Sequence, residues 1–457
     1  MLPFFREKTS DRTAPKPGNA SVRPPAPSSG NRHLAPAAPV QQAPSVAAQV
    51  ASVAFDKLTR SSPDGPVDSV LAALVLALIG FGIVMVYSSS AVEATVRFKD
   101  AEFFLKRQAI YGVLALLAMW FASRIDYRRL RALAYPVLIG VIGLLGMTIL
   151  GLGHAAGGAA RWISLGPIHI QPAEMAKLAI VLWLAYSLSK KSDHIKSFSI
   201  GFLPHLLVAG VLCFLCMKQP DFGSSVVLLF LTFTMMFVAG ARIPYIVAFF
   251  GVLALGAACA VRFSAYRYAR YVSWMDMEAN RDGMAYQPFQ SVMSFGSGGT
   301  WGLGLGRGLQ VLYLPEAHTD FISAIIGEEL GFVGILCLSA AYLVIVARGV
   351  KIALEAADDF GSYLAFGIAT LFGVQALTNL AVAMAILPTK GLTLPFISYG
   401  GSSLLVNAAA VGVLLGISRP RRALAADRPA PVPEPKGHAP SAAGIVLSNA
   451  DEGADGW

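Results

Sequence analysis

The stretch YQPFQSVMSFGSGGTWGLGLGRGLQVLYLPEAHTDFISAIIGEELG, Tyr286 to Gly331, decides what kind of fold this chain adopts. It lies between two long apolar runs, yet it holds glycines, amides, His318 and four carboxylates: Glu316, Asp320, Glu328 and Glu329. The last two fall inside the apolar segment that begins near Phe321. Ionisable groups at the edge of a hydrocarbon slab are costly, so they mark function by default. The surrounding chain has to show whether that slab exists.

The chain has 457 residues, 55% of them hydrophobic and 14% charged, with a mean hydropathy of +0.60. A soluble chain carries roughly a quarter charged residues. Lipid in place of water around most of the surface explains the deficit. Several apolar runs of about 18 residues or more can each cross ~30 Å of hydrocarbon as a helix. The expected fold is therefore an all-α polytopic membrane protein. The net charge of +9 does not imply nucleic acid, because the basic residues collect in short loops and tails, where they set orientation. Cys213, Cys216, Cys259 and Cys337 all lie inside apolar runs. Cys213 and Cys216 have redox or metal-site spacing but no further ligands nearby, so buried packing accounts for them.

Residues 1–66 are rich in Pro, Ala, Ser and Gln. Such a segment cannot bury enough apolar surface to offset its chain entropy and is expected to be a disordered cytoplasmic tail. It lacks the apolar core and small-residue site of a cleaved signal peptide. Residues 421–457 read the same way, which leaves a membrane domain over 67–420. About ten spans are expected there, near 68–90, 108–124, 133–152, 172–189, 203–217, 223–240, 244–262, 321–347, 361–386 and 396–418. An even number puts both termini on one side. Arg124, Arg128, Arg129 and Arg131 follow the second span, Lys190, Lys191 and Lys196 the fourth, and Arg242 the sixth. Arg348 and Lys351 follow the eighth, and Arg419, Arg421 and Arg422 the tenth. That side, with the tails, is assigned to the cytoplasm. The other loops then face outward, including a large extracytoplasmic loop, 263–320, between spans seven and eight. Connections of that length in compact domains are usually functional.

The unusual residues gather in the outward loops. Arg161, Trp162, Gln171, Glu174 and Lys177 lead into the fourth span, and Glu174 and Lys177 share one helix face. They fit a substrate site and a mutually neutralising ion pair equally well. Gln219 and Asp221 occupy the shortest outward link, where Asp221 can cap the sixth span or face substrate. Arg262, Arg267, Tyr268, Arg270 and Tyr271 offer guanidinium forks that suit a diphosphate, as well as ordinary interface anchoring. Asp276, Glu278 and Asp282 follow, then Gln287. A carboxylate at the rim of a wet cavity can act as general base toward a sugar hydroxyl. The glycines from Gly296 to Gly308 lack the Lys-Ser/Thr ending and the preceding strand of a nucleotide cradle, and instead let the backbone lie close to membrane or ligand. Lys390, Ser398 and Ser402 form a small polar patch before the last span.

Seven stretches taken together, GGAARWISLGPIHIQPAEMAKL, QPDFGSS, YQPFQS, GSGG, GLGLGRG, LPEAHTDFISAIIGEELG and LPTKGLTLPFISYGGSS, resemble the SEDS membrane proteins (shape, elongation, division and sporulation). The resemblance covers about residues 68–420 and is nearer to the division branch than to the elongation branch. It implies a peptidoglycan glycosyltransferase at the outer face of the cytoplasmic membrane, acting at the division septum. Such an enzyme polymerises lipid II by β-1,4 bonds with loss of undecaprenyl diphosphate. The implied partners are lipid II, the nascent glycan strand, membrane lipid, a class B penicillin-binding protein and other divisome proteins. The resemblance firmly implies no cofactor, and leaves room for a divalent cation, Mg or Mn, at the departing diphosphate. Two positions depart from the family pattern. The family's loop aspartate falls here on Asn280, so Asp282 is expected as the base with Asp276 as the alternative. Ala173 stands where the family often has Ser. Glu316, His318, Asp320, Glu328 and Glu329 are expected to shape and tune the cavity. The competing functions are a lipid II flippase, a secondary transporter with midplane charges, and a non-catalytic scaffold.

Overall fold

The computed structural model describes residues 66–419 except Gly153, 157–158, 166–167, Ser264 and Lys390. The expectations for the two tails, for Lys390 and for the Arg267 side chain lie outside the described residues. Twelve helices follow in chain order: α1 (Ser69–Phe98), α2 (Phe103–Arg124), α3 (Leu130–Met147), α4 (Pro172–Lys190), α5 (Leu203–Lys218), α6 (Phe222–Val238), α7 (Ile243–Arg262), α8 (Ala265–Met275), α9 (Tyr286–Gly298), α10 (Ile322–Leu354), α11 (Asp359–Ala383) and α12 (Gly401–Ile417). Each expected apolar segment falls on a helix. Six helical segments, built on α1, α2, α3, α5, α10 and α11, are long and apolar enough to cross a membrane. The apolar parts of α6, α7 and α12 are shorter, and α4 carries Glu174 and Lys177.

The packing of these helices follows from what surrounds them. α4 is buried on nearly every side and touches α3, α6 and α11; α2 pairs with α12, and α10 with both α9 and α11. Outward-facing apolar side chains cover the rest: Leu343 is 70% exposed on α10 and Leu377 69% exposed on α11. Contiguous apolar surface of this kind fits lipid rather than water.

Two charge clusters tie the helix ends at which the tails depart. Asp68 caps α1 by accepting from the Leu71 amide at 2.9 Å. Its other oxygen receives Arg348 Nε and Nη2 at 2.8 and 2.6 Å, and its amide donates to Ser418 Oγ at 3.1 Å. One residue thus joins α1, α10 and the end of α12. Asp358 does the same for the α2–α3 link, α3 and α11. It caps α11 through the Gly361 amide at 2.8 Å and accepts from Arg128 Nε at 2.9 Å and Tyr127 OH at 3.1 Å, with Arg131 at 3.1 Å.

Burial alone would raise the Asp358 pKa, but the Gly361 amide, Arg128, Arg131 and the Tyr127 hydroxyl outweigh it and hold the carboxyl below its ordinary 3.8. A lowered acid pKa adds stability that is present above the unfolded value and lost as pH falls through the folded one. Melting of the purified protein should therefore show an acid limb below about pH 4. Asp358→Asn should flatten that limb while keeping the cap, and Asp358→Ala should cost about 1 kcal/mol at neutral pH through the lost cap, the exposed arginine pairs adding little.

At the opposite end of the bundle the expected loops contain ordered structure. Residues 154–170 form a three-stranded antiparallel sheet, β1 (His154–Ala156), β2 (Ala159–Leu165) and β3 (Ile168–Ile170), with Ser164 opposite His169. The long connection 263–320 contains α8 and α9. Trp274 Nε1 on α8 donates to the Ala385 carbonyl at 2.8 Å, and Ser291 on α9 donates to the Ala383 carbonyl at 2.6 Å. Both helices are fastened to the exit of α11.

Candidate functional site

The polar groups converge where β2, the 218–222 link, the 299–321 segment and the 385–400 segment meet. Arg161 on β2 donates through Nε to the Gln219 carbonyl and through Nη2 to the Pro220 carbonyl, both at 2.8 Å. It therefore fastens the sheet to the link before α6. In that link Gln219 donates to Thr148 Oγ1 and, at 3.2 Å, to the Leu145 carbonyl. Asp221 resolves as a helix cap. Its Oδ1 accepts the Ser224 amide at 3.0 Å, and its Oδ2 accepts the Ser224 hydroxyl at 2.8 Å. Trp162 stands half-buried beside Arg161.

At the head of α4, Lys177 meets Glu174 at 2.7 Å with both side chains almost fully buried. Ser403 donates to the second Glu174 oxygen at 3.3 Å, and Asn407 donates to Ser403 at 3.2 Å. The Gln171 amide reaches Ser402 Oγ at 3.3 Å. Proline at the first turn and Glu174 within it favour a helix start there. The charges sit one turn inside the helix, against α12.

His318 packs against two tilted rings, with centroids 4.5 Å from Phe104 and 5.6 Å from Tyr399. Its Nδ1 lies 3.5 Å from Glu93 Oε2. Burial holds the imidazole below its ordinary pKa, against the pull of Glu93 and Glu316, so it is neutral at pH 7. Glu316 accepts the Thr319 hydroxyl at 2.9 Å. Ser398 donates to the Thr319 carbonyl at 2.6 Å and accepts the Leu394 amide at 2.8 Å, which locks the last-span entrance onto the loop before α10. Asp320 completes this loop, half-buried. Burial, with the charges of Glu316 and Asp221 acting in the same direction and Arg161 against them, pushes its carboxyl up to about 7.

The backbone of the glycine-rich run lies against α10, whose helical path breaks at Gly331 (φ 66°, ψ −165°). Leu303 and Gly304 donate their amides to the Glu328 and Glu329 carbonyls at 3.0 and 2.9 Å. Phe332 and Val333, beyond the break, donate to the Gly299 and Thr300 carbonyls at 2.9 and 3.2 Å. The groups freed by the break are thus satisfied by the loop, as irregular backbone at membrane depth requires. Glu328 also faces the loop, accepting the Leu309 and Gln310 amides at 2.8 and 3.1 Å. Glu329 accepts the Ser88 hydroxyl at 2.6 Å.

The loop carboxylates stand apart from this assembly. Asp282 lies on the turn before α9, 94% exposed, with Arg281 Nε at 3.8 Å. Asp276 is exposed and accepts the Ala279 amide at 3.2 Å, and Asn280 donates to the Asp276 carbonyl at 2.9 Å. Arg270 Nη2 meets Thr389 at 3.1 Å, and Gln287 is half-buried in the first turn of α9. Sequence reasoning did not single out Asn379, which donates to the Asp320 and Leu392 carbonyls at 2.9 and 2.7 Å. An amide inside an otherwise apolar run was the available signal. Among the described residues no three His, Cys, Asp or Glu side chains gather to hold a metal ion. The donor set for a Mg or Mn ion is thus not supplied by these side chains alone, and no step is derived through one.

The profile of the cell cycle protein family that takes in FtsW, RodA and SpoVE matches residues 69–423. The chain belongs to that family. It is 46% identical over 354 residues to the probable peptidoglycan glycosyltransferase FtsW of Geobacter sulfurreducens, covering 77% of this chain and 95% of that one. Stage V sporulation protein E of Bacillus subtilis is 40% identical over 355 residues, covering 77% and 97%. Among solved structures, a peptidoglycan synthase complex that coordinates polymerization and crosslinking contains a chain 31% identical, with a TM-score of 0.66, covering 77% of this chain and 97% of that one. The rod shape determining protein RodA of Thermus thermophilus gives 29% identity and a TM-score of 0.57, covering 76% and 96%. Family membership and six spanning helices make this a multi-pass membrane protein.

Proposed function

We propose that the protein is a peptidoglycan glycosyltransferase that polymerises lipid II during septal wall synthesis. The observation that carries this is the 46% identity to a probable peptidoglycan glycosyltransferase FtsW over nearly that protein's whole length. The polar assembly at one end of the bundle is where such chemistry fits. Ten spans result from adding α4, α6, α7 and α12 to the six long segments, and the basic exits then put both termini in the cytoplasm and this assembly outside. Glycosyl transfer needs a carboxylate to take the acceptor 4-hydroxyl proton while C1 of the donor sugar leaves its diphosphate. Asp282, Asp276 and Asp320 are the candidates for that role. Arg161 and Arg270 are described cations on this side for the diphosphate, with Trp162, Gln287, Ser398 and Ser402 lining the approach.

Pairing with a class B penicillin-binding protein is supported by the likeness to a chain of a complex that couples polymerization to crosslinking. A flippase role receives less support, because the charges at the head of α4 pair with each other at 2.7 Å. Reconstituted full-length protein with its cognate transpeptidase should convert lipid II into lysozyme-sensitive strands. Lipid II crossing the bilayer without strand formation would favour transport instead.

A further inference from the structure

Three consecutive carbonyls of the loop before α10 are each held by a donor from elsewhere in the chain. The Tyr399 amide donates to the His318 carbonyl at 2.9 Å, Ser398 Oγ to the Thr319 carbonyl at 2.6 Å, and Asn379 Nδ2 to the Asp320 carbonyl at 2.9 Å. The first two donors belong to the 385–400 segment. The third comes from α11 and reaches both segments, because the same Asn379 nitrogen donates to the Leu392 carbonyl at 2.7 Å. Ser323, in the first turn of α10, donates to Asn379 Oδ1 at 2.9 Å. That bond fixes which end of the amide faces the two carbonyls, since a flipped amide would set an oxygen against both. Asn379 and Ser323 are buried. Asn side chains commonly bond to nearby backbone, but neither carbonyl served here belongs to α11. The bonds therefore organise the loops rather than the helix. The 385–400 segment in turn carries α8, through Trp274 Nε1 on the Ala385 carbonyl at 2.8 Å and Arg270 Nη2 on Thr389 at 3.1 Å. At Gly391 this segment comes so near the loop that a Cβ would stand 2.9 Å from Asp320 Oδ2.

We propose that Asn379 is a positioning residue of the transfer, holding the loop before α10 and the 385–400 segment in one register. This deepens the glycosyltransferase function and rests on it. Asn379 lies beneath the site and acts through the backbone of two segments that wall it. A single amide with all its bonds spent on those segments makes α8, the 385–400 segment and the loop move as one wall. Capture of a lipid-linked disaccharide draws on contacts spread over the whole site. Transfer depends on placing the reacting groups to about 0.5 Å, and a misplacement of about 1 Å can cost about a hundredfold in rate. Loss of the amide therefore falls on the rate of transfer rather than on binding.

The test uses full-length protein reconstituted with its transpeptidase partner and lipid II, assayed well below the melting temperature of each variant. Asn379→Ala removes the amide, and kcat should fall about ten- to a hundredfold while KM stays within about twofold of wild type. Asn379→Asp keeps the shape but presents a donor to the two carbonyls only when protonated. Its kcat relative to wild type should therefore rise as pH is lowered, whereas that of Asn379→Ala stays constant. Ser323→Ala leaves both carbonyl bonds in place and should lose less than Asn379→Ala. Independently of turnover, amide exchange over 318–324 and 391–394 should accelerate together in Asn379→Ala. Wild-type kcat in Asn379→Ala, a loss carried by KM alone, or unchanged exchange in both segments would overturn the assignment. So would a ratio of Asn379→Asp to wild type that does not change with pH. A wild-type pair that makes no strands removes the glycosyltransferase function and the role in transfer with it, an outcome told apart by exchange that still accelerates in Asn379→Ala.

Discussion

Lys177→Met lowers the stability of the helical bundle by about 3–5 kcal/mol. The expectation rests on burial rather than on the attraction between the charges. Lys177 and Glu174 are 1% and 5% exposed and lie 2.7 Å apart, so removing the ammonium leaves a carboxylate in a nearly dry interior. The Ser403 hydroxyl at 3.3 Å cannot make up for a lost cation, because a neutral hydrogen bond contributes only about 1 kcal/mol net. The decisive comparison is the double variant Glu174→Leu with Lys177→Met. Removing both charges ends the uncompensated burial, and replacing a buried pair by apolar groups is often neutral. Melting temperatures in detergent should therefore fall in either single variant and recover most of the way in the double. If the pair binds substrate as well as packing α4, the recovered double variant remains inactive, and the two roles left open by sequence separate.

Gly302→Ala and Gly331→Ala each disrupt the broken helix. At Gly302, φ is 80° and a Cβ would lie 2.2 Å from the Glu329 carbonyl oxygen. At Gly331, φ is 66° and a Cβ would lie 2.4 Å from the Gly302 amide nitrogen. The backbone strain alone costs about 1–3 kcal/mol, and forcing a methyl into a packed site adds about 1–3 kcal/mol. The two sites face each other, so the double variant should lose less than the sum. Gly296 on α9 has open space where its Cβ would stand and no unusual φ, so Gly296→Ala should not destabilise. Amide exchange along 299–310 should accelerate in both damaging variants, because the loop amides lose the carbonyls that the break presents.

The helices were legible because their signal is local. Length and apolarity identify segments such as 203–217, found as α5, and the acidic cap read at Asp221 marks a start that needs no distant partner. The residues between helices are set by distant contacts and were less legible. Nothing within 296–308 reveals that its amides complete a helix broken at Gly331, some thirty residues downstream of where the run begins, so the glycines read as contact with membrane or ligand. Arg161 read as part of a substrate site, yet two of its donors are taken by the Gln219 and Pro220 carbonyls. The family pattern selected Asp282 and Asp276 as candidate bases and left Asp320 among the residues that shape the cavity. Only the fold distinguishes an exposed carboxylate from one fixed against Gly391.

The central claim is strand synthesis from lipid II, and its most direct measurement follows lipid diphosphate release and new glycosidic bonds in one reaction of the full-length protein with its transpeptidase partner. Equal amounts of the two are the predicted result; release or transbilayer movement of lipid II without new glycosidic bonds would contradict it.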